Sequence, residues 1–268
     1  MSGNANYRAF RRSLLTWYEA NKRDLPWRNT KDPYKIWISE IILQQTQVAQ
    51  GLAYYNRIIS EFPDVEALAK AELDAILKHW QGLGYYSRAR NLHAAANQIK
   101  QEYKGKFPDN YRELLNLKGV GTYTAAAIAS FSYKTPVAVV DGNVYRVLSR
   151  IFGIETPIDT LSGKKEFQNM ADKLLDIHSP DIYNQAIMEF GALYCKGSNP
   201  DCENCIFQKN CFALKFDKVK LLPVKEKKVK VKKRVLNYFI IIDKNKNCII
   251  QKREASDIWK GLYEFPLI

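Results

Sequence analysis

The chain has 268 residues and is strongly basic, with 41 Lys and Arg against 28 Asp and Glu and a formal net charge of +13. A hydrophobic fraction of 46% beside 26% charged residues is typical of a folded globular protein and excludes collagen-like or disordered chains. No apolar run approaches the roughly 18 residues of a membrane helix, and the N-terminus lacks the apolar core of a secretion signal. We therefore expect a soluble, cytoplasmic protein without membrane contact, whose five cysteines are not paired in disulfides.

The first 216 residues follow the period of amphipathic helices nearly throughout. Asp32 is suited to cap a helix and Pro33 to occupy its first position, so we expect a helix to begin there, in a pattern that continues to Phe62. Short Gly, Pro or Asp breaks separate the helical stretches that follow. These stretches cover residues 65–80, 86–103, 110–118, 122–132, 143–152, 164–178 and 181–195. The pattern predicts an all-helical domain over residues 1–216.

Two carboxylates in this domain are candidates for catalysis. Glu40 lies among apolar residues of the helix that begins at Pro33, and such surroundings should raise its pKa into the range of a general acid. A half-exposed surface glutamate is the ordinary alternative. Asp141 follows an apolar run and precedes a helix, where backbone N–H groups would cap it and keep it ionised. One protonated and one ionised carboxyl group form the pair that breaks glycosidic bonds.

Gly119 and Gly121 lie in a short turn between two helical stretches. Glycine lets the backbone approach a partner closely, and the free N–H groups of residues 121–123 would form a seat for one phosphate. Taken alone, the turn is equally typical of an ordinary helix connection. It gains weight from the basic charge and from the aromatic-rich segment 82–91, because a protein that binds duplex DNA needs phosphate anchors and groups that enter the base stack.

Four cysteines follow the last predicted helix with the spacing C-x6-C-x2-C-x5-C. Zinc and a [4Fe-4S] cluster both accept four thiolates. Zinc loops usually pair two knuckles with short internal gaps, whereas this graded spacing surrounds one larger object and favours iron and sulfur. Four reduced thiols without a metal are the remaining alternative. The cysteines are Cys195, Cys202, Cys205 and Cys211.

The chain changes character after residue 216. Residues 215–234 hold ten Lys or Arg against two acids, and we interpret residues 217–233 as a basic linker. Residues 234–268 are rich in β-branched and aromatic residues around the polar turn DKNKN, which predicts a few strands. Three strands cannot cover a sheet, so we expect residues 234–268 to be an incomplete β-rich domain.

Together these motifs resemble the endonuclease III superfamily of base-excision DNA glycosylases. The hairpin LKGVGTYTA, the segment VVDGNVYRVLSR and the cysteine loop carry this resemblance. Within the superfamily, LPWR, SEIILQQTQV and GLGYYSRARNL are similar to the adenine DNA glycosylases of the MutY type, from about Tyr7 to Phe216 and more weakly from residue 234 onward. The resemblance implies a mainly α, two-lobed helix-hairpin-helix fold, with lobes at residues 30–134 and at 1–29 plus 135–216, followed by the start of a Nudix-like domain.

The resemblance also implies a monofunctional enzyme that hydrolyses the N-glycosidic bond of adenine opposite 8-oxoguanine or guanine. Glu40 would protonate the adenine, and Asp141 would stabilise the oxocarbenium-like sugar or bond to it transiently. Asn143 and Glu189 would support Asp141 and the attacking water. Tyr123 stands where bifunctional relatives carry a Schiff-base lysine, so strand cleavage by that route should be absent.

The remaining implied contacts are with double-stranded DNA that contains the mispair, bound by a monomer with a [4Fe-4S] cluster. The alternatives are a damaged-pyrimidine glycosylase of the endonuclease III type and a non-catalytic DNA-binding iron-sulfur protein. Helix packing is the ordinary interpretation of Leu43 and Val48. The resemblance implies that Gln45 and Tyr85 enter the duplex around the lesion pair. The implied contacts with the extruded adenine are Trp27, Arg28, Leu43 and Val48, and the implied DNA contacts of the hairpin are Gly119, Gly121 and Thr122.

Overall fold

The computed structural model describes residues 3–226, 233–254 and 257–267, with side chains from Tyr7 onward. The described chain is mainly helical, as the sequence predicts. No helix in these ranges is long and apolar enough to cross a membrane. The helices are α1 (Gly3–Asn21), α2 (Pro33–Leu43), α3 (Val48–Glu61), α4 (Val65–Lys70), α5 (Leu73–Trp80), α6 (Ser87–Glu102), α7 (Tyr111–Asn116), α8 (Thr122–Tyr133), α9 (Gly142–Phe152), α10 (Leu161–Leu174), α11 (Pro180–Leu193) and α12 (Phe212–Lys215).

The chain divides into two compact units. Unit 1 contains the chain up to Trp37, Pro108–Asn116, and the chain from Val120 into the basic linker. Unit 2 contains Ile38–Phe107, Leu117–Gly119 and the C-terminal segment. The lobes predicted at residues 30–134 and at 1–29 plus 135–216 have other boundaries than these two units, and they stay a prediction.

The core of unit 1 joins α1, α9, α10 and α11. Trp17 of α1 meets Phe190 of α11 edge to face, with ring centroids 5.0 Å apart. Phe10 of α1 stacks on Phe207 at 4.7 Å, which fixes the loop that follows α11 to the same core. Each buried aromatic or large aliphatic side chain contributes roughly 1.5–3 kcal/mol to stability. The cysteine loop therefore rests on a well-packed support.

The core of unit 2 lies where α4 and α5 pack on α6. Leu68, Ile76 and Trp80 point into it and are fully buried. Ala95 and Ile99 of α6 are fully buried as well. Their spacing of four residues places both side chains on one helical face, as expected for a core-facing helix.

Two predicted helices are each interrupted. The pattern over residues 32–62 is one helix in the sequence but becomes α2 and α3, separated by residues 44–47. Gln45 has a φ of 57°, in the left-handed region, and no α-helix continues through such a residue. The pattern over residues 65–80 likewise breaks at residues 71–72, between α4 and α5. The predicted cap at Asp32 is confirmed, because its Oδ1 accepts from the N–H of Tyr34 at 2.9 Å.

The C-terminal segment contains a small antiparallel sheet, β1 (Gln251–Lys252) and β2 (Tyr263–Glu264). Single bridges join Ile242 to Cys248 across the predicted DKNKN turn, and Tyr238 to Leu267. The sheet contacts the rest of unit 2 through Lys252, whose Nζ lies 2.8 Å from Asp74 of α5. Its description as the start of a Nudix-like domain remains a prediction.

The first part of the predicted linker is attached to unit 1. Leu222 is buried, and its carbonyl accepts from Nε of Arg150 at 3.2 Å. The Ile158 N–H donates to the carbonyl of Val224 at 3.0 Å. Residues 222–224 therefore pack against the helical domain, while residues 227–232 lie outside the described residues and the linker at 217–233 stays a prediction.

Candidate active site

Asp141 caps α9 as predicted. Its Oδ1 accepts from the Val144 N–H at 2.7 Å, which satisfies one of the free N–H groups at the start of the helix. Burial raises the pKa of this carboxyl above the ordinary aspartate value, against the lowering effect of its hydrogen bonds and of the nearby Arg146 charge. The sequence predicts that Asp141 caps the helix, but it does not predict the raised pKa, because burial arises from tertiary packing.

The backbone that delivers Asp141 is anchored by Asn184 of α11, a fully buried residue. The amide Nδ2 of Asn184 donates to the carbonyl of Val137 at 2.9 Å and to Oγ of Ser130 at 2.8 Å. Its Oδ1 accepts from the N–H of Val139 at 3.1 Å. Residues 137–139 thus lead into Asp141 in a fixed position. Asn184 was not predicted, and its one signal in the sequence is a polar residue on an otherwise apolar helical face.

Asn143 connects Asp141 to the cysteine loop. Its Nδ2 donates to Oδ2 of Asp141 at 2.7 Å, and its Oδ1 accepts from Nη2 of Arg146 at 2.7 Å. Arg146 also donates to the carbonyls of Gly191, at 2.6 Å, and Cys195, at 2.7 Å. A Cβ atom on Gly191 would lie 2.6 Å from the Cβ of Asn143, so this close approach of α11 to α9 requires glycine. Arg146 was not predicted, although it follows Asn143 by three residues on one helical face.

Glu189 of α11 is buried, with 1% of its side chain exposed, and is held by two arginines. Nη1 and Nη2 of Arg28 donate to its two oxygens at 2.8 and 2.7 Å. Arg23 donates through its backbone N–H at 3.1 Å and through Nε at 2.8 Å. Burial acts to raise the pKa of Glu189, but the hydrogen bonds and charges of both arginines outweigh it and lower the pKa to about 2. The carboxylate is therefore ionised at neutral pH.

The other predicted site residues of unit 1 lie in two short segments, at the turn after α1 and at the start of α8. Trp27 and Arg28 form a short 3-10 turn, Pro26–Arg28, in which Trp27 is buried. Tyr123 is half-buried in the first turn of α8, directly after the exposed Thr122. Gly121 is the N-cap of α8 and has open space around its Cβ position. The adenine and phosphate contacts of these residues stay predictions.

In unit 2, Glu40 is buried with 5% exposure, near the end of α2. This excludes the alternative of a half-exposed surface glutamate. Leu43 and Val48 are half-buried at the end of α2 and the start of α3, and a Cβ on Gly51 would meet Cδ2 of Leu43 at 2.8 Å. Leu43 thus packs on α3, so helix packing accounts for it whether or not it touches a base.

Gln45 and Tyr85, predicted to enter the duplex, are both exposed, Tyr85 to 60%. Both have left-handed backbones, with φ values of 57° and 48°. Gly119 of the hairpin is also left-handed, with a φ of 75°, and a Cβ there would lie 2.6 Å from the Cβ of Asn91. Glycine is therefore required at position 119 by two independent constraints.

The four cysteines line one cavity, together with Arg150, Phe190 and Leu214. Among the residues that the structure describes, no three His, Cys, Asp or Glu side chains converge as a single metal ion requires. Four cysteine thiolates that line one cavity are a donor set that a [4Fe-4S] cluster accepts.

Polar groups point at three of the sulfur atoms. Nη1 of Arg150 lies 3.5 Å from Sγ of Cys195, and the Phe207 N–H donates to Sγ of Cys205 at 3.4 Å. Burial raises the pKa of the Cys211 thiol, against the lowering effect of the nearby backbone N–H groups of Leu214 and Ala213. Burial raises the pKa of the Cys205 thiol to about 11. Donors aimed at sulfur stabilise thiolates and tune a bound cluster, so the residues fit a [4Fe-4S] group.

Comparison with known proteins identifies the family. The family model described as HhH-GPD superfamily base excision DNA repair protein matches residues 38–175. The chain belongs to this HhH-GPD superfamily. It is 38% identical over 258 residues to a protein of Buchnera aphidicola subsp. Acyrthosiphon pisum (strain APS) named adenine DNA glycosylase, covering 96% of this chain and 73% of the relative. It is 40% identical over 218 residues to the adenine DNA glycosylase of Homo sapiens, covering 78% of this chain and 40% of that protein.

Solved HhH-GPD-like structures give the same result for the fold. A thermostable thymine-DNA glycosylase superposes with a TM-score of 0.74 at 30% identity, covering 80% of this chain and 98% of the other. Endonuclease III in a non-covalent DNA complex superposes with a TM-score of 0.70 at 21% identity, covering 81% and 99%. The resemblance to the endonuclease III superfamily, and within it to adenine DNA glycosylases, is confirmed, as is the mainly helical glycosylase fold. The roles of individual residues stay predictions.

Proposed function

We propose that this protein is a monofunctional DNA glycosylase that hydrolyses the N-glycosidic bond of adenine mispaired with 8-oxoguanine or guanine. The observation that carries the proposal is that two carboxyl groups within the matched family region, Glu40 and Asp141, are both withdrawn from solvent. Glu40 is buried in α2, and Asp141 is fixed at the N-terminus of α9. Identity to proteins named adenine DNA glycosylase supports adenine as the base.

The chemistry assigns one task to each acid. Glu40 protonates the extruded adenine, which makes the base a better leaving group. Asp141 carries the negative charge that stabilises the positive sugar as the bond breaks, and its bonds to Val144 and Asn143 hold it at one orientation. Water then attacks the sugar and loses a proton, which balances the proton that Glu40 delivered to the adenine. Glu189 supports this site through Arg28, to which it is paired at 2.7 Å.

The proposed enzyme leaves the sugar–phosphate backbone intact. A lyase of this superfamily type forms a Schiff base through a lysine amine, and Tyr123 offers a phenol in its place. Trp27, Arg28, Leu43 and Val48 contact the extruded adenine, while the hairpin at Gly119 to Thr122 seats a phosphate. The net charge of +13 supports duplex DNA as the partner. The resemblance implies that the enzyme acts as a monomer in the cytoplasm.

We also propose that a [4Fe-4S] cluster is the resident cofactor, held by the four cysteine thiolates. When bound, it supplies a rigid covalent tie across the loop, and no step of the hydrolysis is assigned to it. Purified protein should be brown and contain about four irons per chain, with absorption in the sulfur-to-iron charge-transfer region. One zinc and no iron would overturn this assignment.

The activity is tested by single-turnover reactions on labelled duplexes with adenine opposite 8-oxoguanine, guanine or thymine. A thymine opposite guanine and an oxidised pyrimidine complete the panel. Adenine excision opposite 8-oxoguanine and guanine, with strand breaks only after alkali, is the expected result. Excision of pyrimidines instead, breaks without alkali, or tight binding with no excision from any duplex would contradict the proposal.

A further inference from the structure

Two exposed reversals of the chain in unit 2 carry left-handed residues other than glycine. Gln45 follows α2, and Tyr85 precedes α6. The left-handed conformation costs roughly 1–2 kcal/mol for such residues, and it persists where the surroundings enforce it. Segments 44–46 and 84–86 are therefore held in place by something other than their own preference.

Both segments meet at the side chain of Arg88, which is 8% exposed. Its Nη1 lies 2.9, 2.8 and 2.7 Å from the carbonyl oxygens of Ile41, Ile42 and Gln44. Its Nη2 donates to the carbonyl of Gly84 at 3.3 Å. Since Nη1 has two hydrogens, three carbonyls share them around one positive charge. One guanidinium thus binds both segments.

The environment of Arg88 suits a structural cation. In the described part of the chain it forms no ion pair, and its charge faces the C-terminal carbonyls of α2, which is the negative end of the helix dipole. Its guanidinium carbon also lies 5.3 Å from the ring centroid of Trp80 and 5.5 Å from that of Tyr85. Burial lowers the pKa of Arg88, but an arginine retains its proton throughout the physiological range.

We infer that Arg88 is a positioning residue that locks the Gln45 and Tyr85 segments into one rigid unit before DNA is bound. The inference rests on the proposed function for its consequence, because Gln45 and Tyr85 are the residues proposed to enter the duplex. Rigid loops bind without a further ordering cost, so the lock favours duplexes in which a base must be extruded over fully paired DNA.

The positioning role of Arg88 is tested first without DNA, by amide hydrogen exchange in segments 44–46 and 84–86. Arg88→Lys keeps the charge but lacks the planar fork that reaches both segments. Exchange there should rise about tenfold or more. The matched control is Arg57→Lys, because Arg57 lies over the Tyr54 ring at 4.7 Å and donates to the His79 carbonyl, and neither partner belongs to the two segments. Unchanged exchange in Arg88→Lys, or equal changes in both variants, would overturn the inference.

The consequence is tested by affinity for a mispaired duplex whose adenosine carries a 2′-fluorine to block hydrolysis, relative to a fully paired duplex. Arg88→Lys should reduce this affinity ratio about tenfold while binding to paired DNA changes less than about twofold. In a Tyr85→Ala background, Arg88→Lys should reduce the affinity ratio by less than about a further twofold, because both substitutions act on the same positioned segment. Fully additive losses would overturn the inference.

Should Arg88→Lys not fold, the double-mutant cycle of Gln45→Ala and Tyr85→Ala replaces it. Two segments locked by one guanidinium should give strongly non-additive losses of the affinity ratio, and additive losses would contradict the lock. Wild-type excision distinguishes the two proposals. If the wild type fails to excise adenine, the proposed function is wrong, whereas the exchange experiment decides the role of Arg88 in either case.

Discussion

Replacing Glu189 by glutamine should destabilise the protein by about 3 kcal/mol at neutral pH. The pKa of Glu189 is lowered from 4.5 to about 2 in the folded chain, and one pKa unit corresponds to about 1.4 kcal/mol. The side chain is 1% exposed, so solvent screening reduces this value little. Removing one partner of a buried ion pair typically costs about 3–5 kcal/mol, which agrees with the estimate. Arg28, 14% exposed, would be left without its carboxylate.

The same contacts predict a pH dependence with a definite sign. The folded-state pKa of Glu189 lies below the unfolded value, so its stabilisation is present above about pH 4.5 and is lost as the pH falls toward about 2. Urea unfolding followed by tryptophan fluorescence, for wild type and Glu189→Gln, measures the difference in the free energy of unfolding. That difference should be full at pH 7 and reduced by more than half at about pH 3.

The matched control is Glu113→Gln. Glu113 is exposed on α7 and forms no ion pair among the described residues, so its substitution should change stability by less than about 0.5 kcal/mol. If Glu189→Gln behaves like this control, or if its effect is constant from pH 7 to about pH 3, the account of the Glu189 cluster is wrong.

Three further predictions concern Asp141, the hairpin and DNA binding. Asn143→Ala removes a hydrogen bond that lowers the pKa of Asp141. The acid limb of the excision rate–pH profile should therefore move to higher pH, and the rate at neutral pH should fall about tenfold or more. An acid limb that does not move would contradict the pairing of Asn143 with Asp141. Gly119→Ala should lower the thermal midpoint of unfolding by several degrees, which corresponds to about 1–3 kcal/mol. Gly121 has open space at its Cβ position and a φ of −95°, so Gly121→Ala should leave the midpoint nearly unchanged. Equal effects of the two substitutions would exclude the clash with Asn91 as the reason for glycine at position 119. The logarithm of the DNA association constant should fall with the logarithm of salt concentration by about 0.9 per phosphate neutralised, and a flat response would remove the basic surface from the interface.

Features that depend on neighbours in the sequence could be predicted from it. Asp32 and Asp141 cap their helices because a short carboxylate before a helix reaches N–H groups two or three residues ahead. The hairpin glycines lie between α7 and α8 for a similarly local reason, since a tight turn between helices needs a residue with positive φ. The cysteine spacing pointed to a shared loop, and the four side chains do line one cavity.

Features that depend on distant residues could not be predicted. The break between α2 and α3 involves the guanidinium of Arg88, more than forty residues along the chain, and the sequence around Gln45 contains neither glycine nor proline to signal it. The partners of Glu189 are Arg23 and Arg28, which lie near the other end of the chain. Helical periodicity shows which side chains are buried, but it does not show which charges they meet.

The basic linker illustrates the same limit. Composition predicts an extended basic linker from its ten Lys and Arg residues. Backbone contacts of Val224 and Leu222 with unit 1 depend on surfaces formed by α9 and the loop before α10, which composition does not describe.

The most direct test of the central claim is single-turnover excision of adenine opposite 8-oxoguanine by Glu40→Gln. Glutamine keeps the size of the side chain but cannot deliver a proton to the base. Excision should fall by about 100-fold or more while affinity for the duplex changes little, and the exposed control Glu72→Gln should retain the wild-type rate. Excision by Glu40→Gln at the wild-type rate would contradict the assignment of Glu40 as the acid and, with it, the proposed mechanism.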